Sequence, residues 1–156
     1  MSTTPRPPGR RAGMGRVYLD ANTEALRRGD RKVGTEHVVL ALLLDSRSAT
    51  AEALGVRLGD AREALEGLDR DALAAIGVHA VPAGPVLPGR ERDRLPLTPA
   101  AKAVFTGLGK EAGRERIGAG HLLRSLLSRT RPDPAAVLLD ALGVDRAAVR
   151  SRLGRG

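Results

Sequence analysis

Thr35, Glu36 and His37 put a hydroxyl, a carboxylate and an imidazole on consecutive residues, just ahead of the apolar run Val38 to Leu44. Side chains of these kinds do acid–base work and ligate metals. At a helix start they also have a plainer use. Thr35 is an N-cap candidate, and Glu36 falls in the first turn behind it. An acidic side chain there stabilises a helix by about 0.3–1 kcal/mol through the macrodipole. His37 has a counterpart in His121. Neither has a second ligand nearby in sequence, so a packing or capping role is favoured over a metal site.

Other chemistry finds little to stand on. No Gly-x-Ser-x-Gly nucleophile motif occurs. Gly109-Lys110 would need a glycine at 104 and Ser or Thr at 111 to cradle phosphates, but Val104 and Glu111 stand there. The remaining carboxylates scatter over presumed helix exteriors. No catalytic residue, cofactor site or metal site is expected.

The elements that position these residues are written twice. Met14, Val17, Tyr18, Ala21 and Ala25 share their spacing with Ala101, Val104, Phe105, Leu108 and Ala112. Val38, Val39, Leu42 and Leu43 return as Leu122, Leu123, Leu126 and Leu127. Ala53-Leu54-Gly55-Val56 recurs letter for letter as Ala141-Leu142-Gly143-Val144, and Ala61 and Leu65 map onto Val149 and Leu153. The offset changes only between blocks, where loops gain or lose residues. Periods of solenoid arrays run roughly 20–50 residues, so this longer repeat is a single duplication.

The spacing within the first block is helical. The 156 residues include one Phe, one Tyr and no Trp, so the core must rest on Leu, Val and Ala. Such a composition favours helices over sheet. The expected fold is therefore all-α, a pseudo-twofold double four-helix repeat with eight helices. A basic Pro/Arg-rich tail covers 1–12, a first repeat 13–76, a Pro/Gly linker 77–97 and a second repeat 98–153. Thr98-Pro99 and Asp133-Pro134 are strong helix starts, and Asp145 is a cap for the last helix.

No cysteine, secretory leader or long apolar span is apparent. A cytoplasmic protein with no membrane contact is expected. The net charge of +8 is uneven: 12–76 has 9 basic against 11 acidic residues, and 77–156 has 14 against 7. That basic half motivates one alternative, a helical nucleic-acid-associated protein.

Val33-Gly34-Thr35-Glu36-His37, set behind a helix ending in Arg27-Arg28-Gly29, resembles the Clp repeat domain at the N-terminus of Clp unfoldases such as ClpC and ClpA. Leu97-Thr98-Pro99-Ala100-Ala101-Lys102 is similar to the opening of that family's repeats. Ile117-Gly118-Ala119-Gly120-His121-Leu122-Leu123 is similar to their Gly-Thr-Glu-His-Leu-Leu run. The likeness extends over about 13–153. It implies an all-α double repeat that docks substrates or adaptors for an ATPase, and this chain carries no ATPase motif of its own. The expected role is a non-enzymatic adaptor, substrate receptor or ligand-sequestering decoy in Clp-dependent proteolysis. Its partners would be a Clp ATPase or protease, or the substrates and adaptors of one.

The resemblance also assigns residues. The motif glutamate is associated with binding phosphoarginine, which makes Thr35 and Glu36 candidates for arginine-phosphorylated peptides. The second repeat has Gly120 at that position, so at most one such site remains. Leu97 stands where the family has a Phe that opens an apolar patch for partner peptides or cyclic-peptide antibiotics. Leu97 reads equally as a core residue stapling the linker to the second bundle.

Overall fold

The computed structural model describes residues 13–77, 93–113 and 117–154. The expected tail at 1–12 and most of the expected linker lie outside the described residues. The described chain is helical throughout: α1 (Met14–Arg28), α2 (Thr35–Leu43), α3 (Ala49–Leu54), α4 (Leu58–Ala75), α5 (Pro99–Thr106), α6 (Leu108–Ala112), α7 (Ala119–Leu127), α8 (Pro134–Ala141) and α9 (Arg146–Leu153). The only strand-like pairing among the described residues is a parallel bridge between Val33 and Leu97.

The expected fifth helix is present in two pieces, α5 and α6. Gly107 sits at the break, and the Thr106 hydroxyl donates to the Lys102 and Ala103 carbonyls at 2.9 and 3.3 Å. Back-bonding of this kind bends helices, and glycine offers little resistance to the bend. With that break counted as a kink, the helices among the described residues number the expected eight. α4 starts at Leu58 and runs unbroken to Ala75, through the end of the span expected for the first repeat.

α2 and α7 form the centre. Val38, Val39, Leu40, Leu42 and Leu43 are buried on α2, and Leu122, Leu123, Leu126 and Leu127 on α7. The outer helices cross between the halves. α3 packs on α9, α4 packs on α8, and α2 also touches both α7 and α8. Since α3 matches α8 and α4 matches α9 in the duplication, these are reciprocal contacts, as a pseudo-twofold arrangement requires. The two halves bury one shared core. Fully burying one Leu side chain stabilises by about 1.5–3 kcal/mol, so much of each half's stability depends on the other.

The repeated Ala-Leu-Gly-Val has a backbone cause. Gly55 and Gly143 take left-handed φ of 68° and 69°, where a side chain would be strained. α1 ends the same way at Gly29, φ 76°. There the Asp30 amide donates to the Ala25 carbonyl at 2.9 Å and the Gly29 amide to Leu26 at 3.1 Å, a Schellman motif. That reversal carries Asp30 toward the start of α2.

Residues 93–98 form a strap along α1. Buried Asn22 donates from Nδ2 to the Asp93 carbonyl at 2.7 Å and accepts the Leu95 amide at 2.9 Å. The Tyr18 hydroxyl donates to the Leu95 carbonyl at 2.6 Å. The Val33 amide then donates to Pro96 and the Thr98 amide to Val33, both at 2.9 Å. Half-buried Leu97 packs against the core between those bonds. The start of α5 is thereby placed beside the start of α2.

Candidate functional site

Gly34 is the N-cap of α2, and Thr35, expected as the cap, is the first helical residue. The reason lies in the second half of the chain. The fully buried Thr35 hydroxyl donates to Asp133 Oδ1 at 2.6 Å and accepts the Ala135 amide at 3.1 Å. Asp133 also caps α8 through the Ala135 amide at 2.9 Å, and Arg129 Nε pairs with its other oxygen at 2.9 Å. Thr35 is therefore committed to a bond between the halves. A hydroxyl so used is not available to cap its own helix.

His37 does the capping instead. Its Nδ1 accepts the Gly34 amide at 2.8 Å, and its Nε2 lies 2.7 Å from Asp30 Oδ2. Arg28 holds Asp30 from the far side, Nε to Oδ2 at 3.1 Å, and also pairs with Asp69 of α4. A charged chain thus runs Asp69, Arg28, Asp30, His37 across α4, α1 and α2. Burial alone would push the imidazole pKa down. Hydrogen bonds to Asp30 and Glu36, with their negative charges, outweigh it and hold the pKa at about 9. For Asp30, burial pulls upward, but His37 and Arg28 outweigh it and keep the carboxyl below its ordinary value.

Glu36 turns back over the cap. Its Oε1 lies 3.1 Å from His37 Nδ1, and the side chain is 15% exposed. A β-carbon on Gly34 would come within 1.8 Å of that oxygen, so the carboxylate occupies the room glycine leaves. Glu36, Asp30, Arg31, Lys32, Asp69 and Thr98 line part of an open groove of about 330 Å³. Of the three residues singled out in the sequence, Glu36 lines this groove. Leu97 stands just outside it in the strap, and the Thr35 hydroxyl faces α8. A larger concavity of about 420 Å³ lies at the ends of α2 and α3, lined by Leu43, Leu44, Val56 and Leu58 among others. None of the three residues reaches it.

Sequence reasoning missed Arg28, Asp30 and Asp69, the charged chain that ends on His37, and Asn22, which holds the strap. Asp30 carries a faint local signal, an acid just behind a helix-ending glycine. Asp69 meets Arg28 across 41 residues, and no local spacing announces that. Among the described residues, no group of three His, Asp or Glu side chains is placed to hold a metal ion. No helix among them is long and apolar enough to cross a membrane.

Over 146 residues, 90% of its length, the chain is 32% identical to "Chaperone protein ClpC2, chloroplastic" of Oryza sativa subsp. japonica and to "Chaperone protein ClpC, chloroplastic" of Pisum sativum. The same identity and coverage link it to "ATP-dependent Clp protease ATP-binding subunit ClpA homolog" of Guillardia theta. The chain is a homologue of ClpC and ClpA chaperones. No protein-family model matches it. It spans about 14% of the length of the rice and pea proteins, and the matched part is their N-terminal portion and not the ATPase core. Those two relatives are named chloroplastic, so they lend no support to the expected cytoplasmic location.

Proposed function

We propose that this chain is a Clp repeat protein, a non-enzymatic docking module of a Clp unfoldase system, and that the groove at Glu36 receives arginine-phosphorylated peptide. The observation that carries the reading is similarity along 90% of the chain to ClpC and ClpA chaperones, confined to a region without their ATPase core. The groove chemistry supports it. A carboxylate can accept two parallel N–H bonds from a guanidinium, which suits Glu36 to the arginine part. Exposed Arg31 and Lys32 stand at the same groove and suit a phosphate, as do amides at the start of α2. The module delivers such peptides to the unfoldase or withholds them from it.

The basic surplus of the second half has internal uses. Arg129 pairs with Asp133, Arg131 and Arg146 with Asp140, and Arg152 donates to the Ala53 carbonyl at 2.6 Å. A nucleic-acid role gains no observation of its own from these residues.

Retention on a column tests the function. Immobilised wild-type chain retains a Clp ATPase and a phosphoarginine peptide, and Glu36→Ala retains the ATPase but releases the peptide. Failure of wild type to hold either one contradicts the docking role. Retention of duplex DNA that weakens steeply with salt points to the nucleic-acid alternative.

A further inference from the structure

One ring nitrogen has two claimants. His37 Nδ1 is 2.8 Å from the Gly34 amide nitrogen and 3.1 Å from Glu36 Oε1. The amide needs a lone pair on Nδ1, whereas the carboxylate needs a proton there. An imidazole nitrogen presents one or the other. The second nitrogen, Nε2, is on Asp30 in either form.

We propose that His37 gates Glu36: the doubly protonated ring holds the carboxylate over Gly34, and the singly protonated ring caps Gly34 and releases the carboxylate to a cationic ligand. The inference rests on reading Glu36 as a guanidinium acceptor. The space above Gly34 makes the held position accessible, because a side chain there would collide with Oε1. Charged groups around the ring come from three elements and a turn. Glu36 is on α2, and Asp30 is in the turn before it. Arg28 on α1 acts through Asp30, and Asp69 on α4 acts through Arg28. Arg31 and Lys32 stand at the groove, and the α5 cap contributes only uncharged Thr98.

These surroundings favour imidazolium up to about pH 9, so near neutrality the carboxylate is held. A ligand guanidinium that takes Glu36 must displace one proton from the ring. Affinity therefore rises with pH below that value, approaching about tenfold per pH unit for one displaced proton. A cap that also reports charge differs from an ordinary first-turn glutamate, whose carboxylate would be equally available from pH 6 to 9.

Nitrogen-15 NMR of the histidine rings in the full chain reads the gate directly. At pH 7.5 the His37 ring is imidazolium in free protein and becomes the Nε2–H tautomer when a phosphoarginine peptide saturates it. Calorimetry from pH 6.5 to 8.5 shows at least tenfold tightening in wild type and under twofold in His37→Gln. A flat wild-type profile, or imidazolium in the bound state, overturns the gate, while Glu36-dependent binding would keep the receptor reading intact. Absence of binding at every pH contradicts the receptor reading instead. The free protein then decides the gate: His37 titrates about one pH unit lower in Glu36→Gln than in wild type, and equal titration overturns it.

Discussion

At the start of α2, Gly34 is capped by His37 Nδ1 at 2.8 Å; at the start of α7, Gly118 is capped by His121 Nδ1 at 3.1 Å. Between glycine and histidine, α2 carries Thr35 and Glu36, whereas α7 carries Ala119 and Gly120. Both helices are nine residues long and both supply the middle of the core. A glycine with a histidine ring folded back on it from three residues on is thus common to both central helices. A hydroxyl and a carboxylate are additions, and each has its own reason. Thr35 ties the first half to the α8 cap. Glu36 makes no such tie, and α7 shows that the helix forms without an acid in its first turn. The first-turn carboxylate is thus a feature of the first half alone.

The largest effect should come from His37. His37→Ala removes a buried ring and its bond to Asp30, costing roughly 3 kcal/mol in denaturant unfolding. A loss under about 1 kcal/mol would mean that the Asp30 chain adds nothing. The same histidine sets a pH dependence. Its folded pKa, about 9, lies above the ordinary 6.5, so its stabilisation is full below about pH 6.5 and is lost as pH rises through 9. Wild-type stability should fall across that window by a few kcal/mol at most, and His37→Gln should flatten the fall.

Next comes the hydroxyl. Thr35→Val strips a bond from the buried Asp133 carboxylate and leaves the Ala135 amide one partner short. It should destabilise by about 2 kcal/mol, whereas Ala119→Ser stays within about 0.5 kcal/mol. Equal effects would show that the tie between the halves is unimportant. The smallest changes concern the carboxylate itself. Glu36→Gln should shift stability by under about 1 kcal/mol, and Gly120→Glu, where open space surrounds the glycine, should stabilise by up to about 1 kcal/mol. A large loss in Glu36→Gln would restore the structural explanation for that residue.

Local signals in the sequence were reliable where the answer was local. Thr98, Asp133 and Asp145 cap their helices as their letters and positions predict. The repeated apolar runs, Val38 to Leu43 and Leu122 to Leu127, fall on α2 and α7, where the structure buries them. Thr35 misled because its hydroxyl is spent on Asp133, 98 residues away, and leaves Gly34 and His37 to make the cap. The kink at Gly107 depends on a balance between propensity and packing that short windows do not register. In the groove, Glu36 was legible through its motif. Asp30 was only faintly so, and the pairing of Arg28 with Asp69 was not, since only the folded chain brings those two together.

The central claim is that a single first-turn carboxylate, in α2 and not in α7, makes this chain a receptor for phosphorylated arginine. Calorimetric titration with a phosphoarginine peptide at pH 8.5 tests it most directly. One site in wild type and none in Glu36→Ala is the predicted result. Two equal sites, or binding that survives Glu36→Ala unchanged, would contradict it.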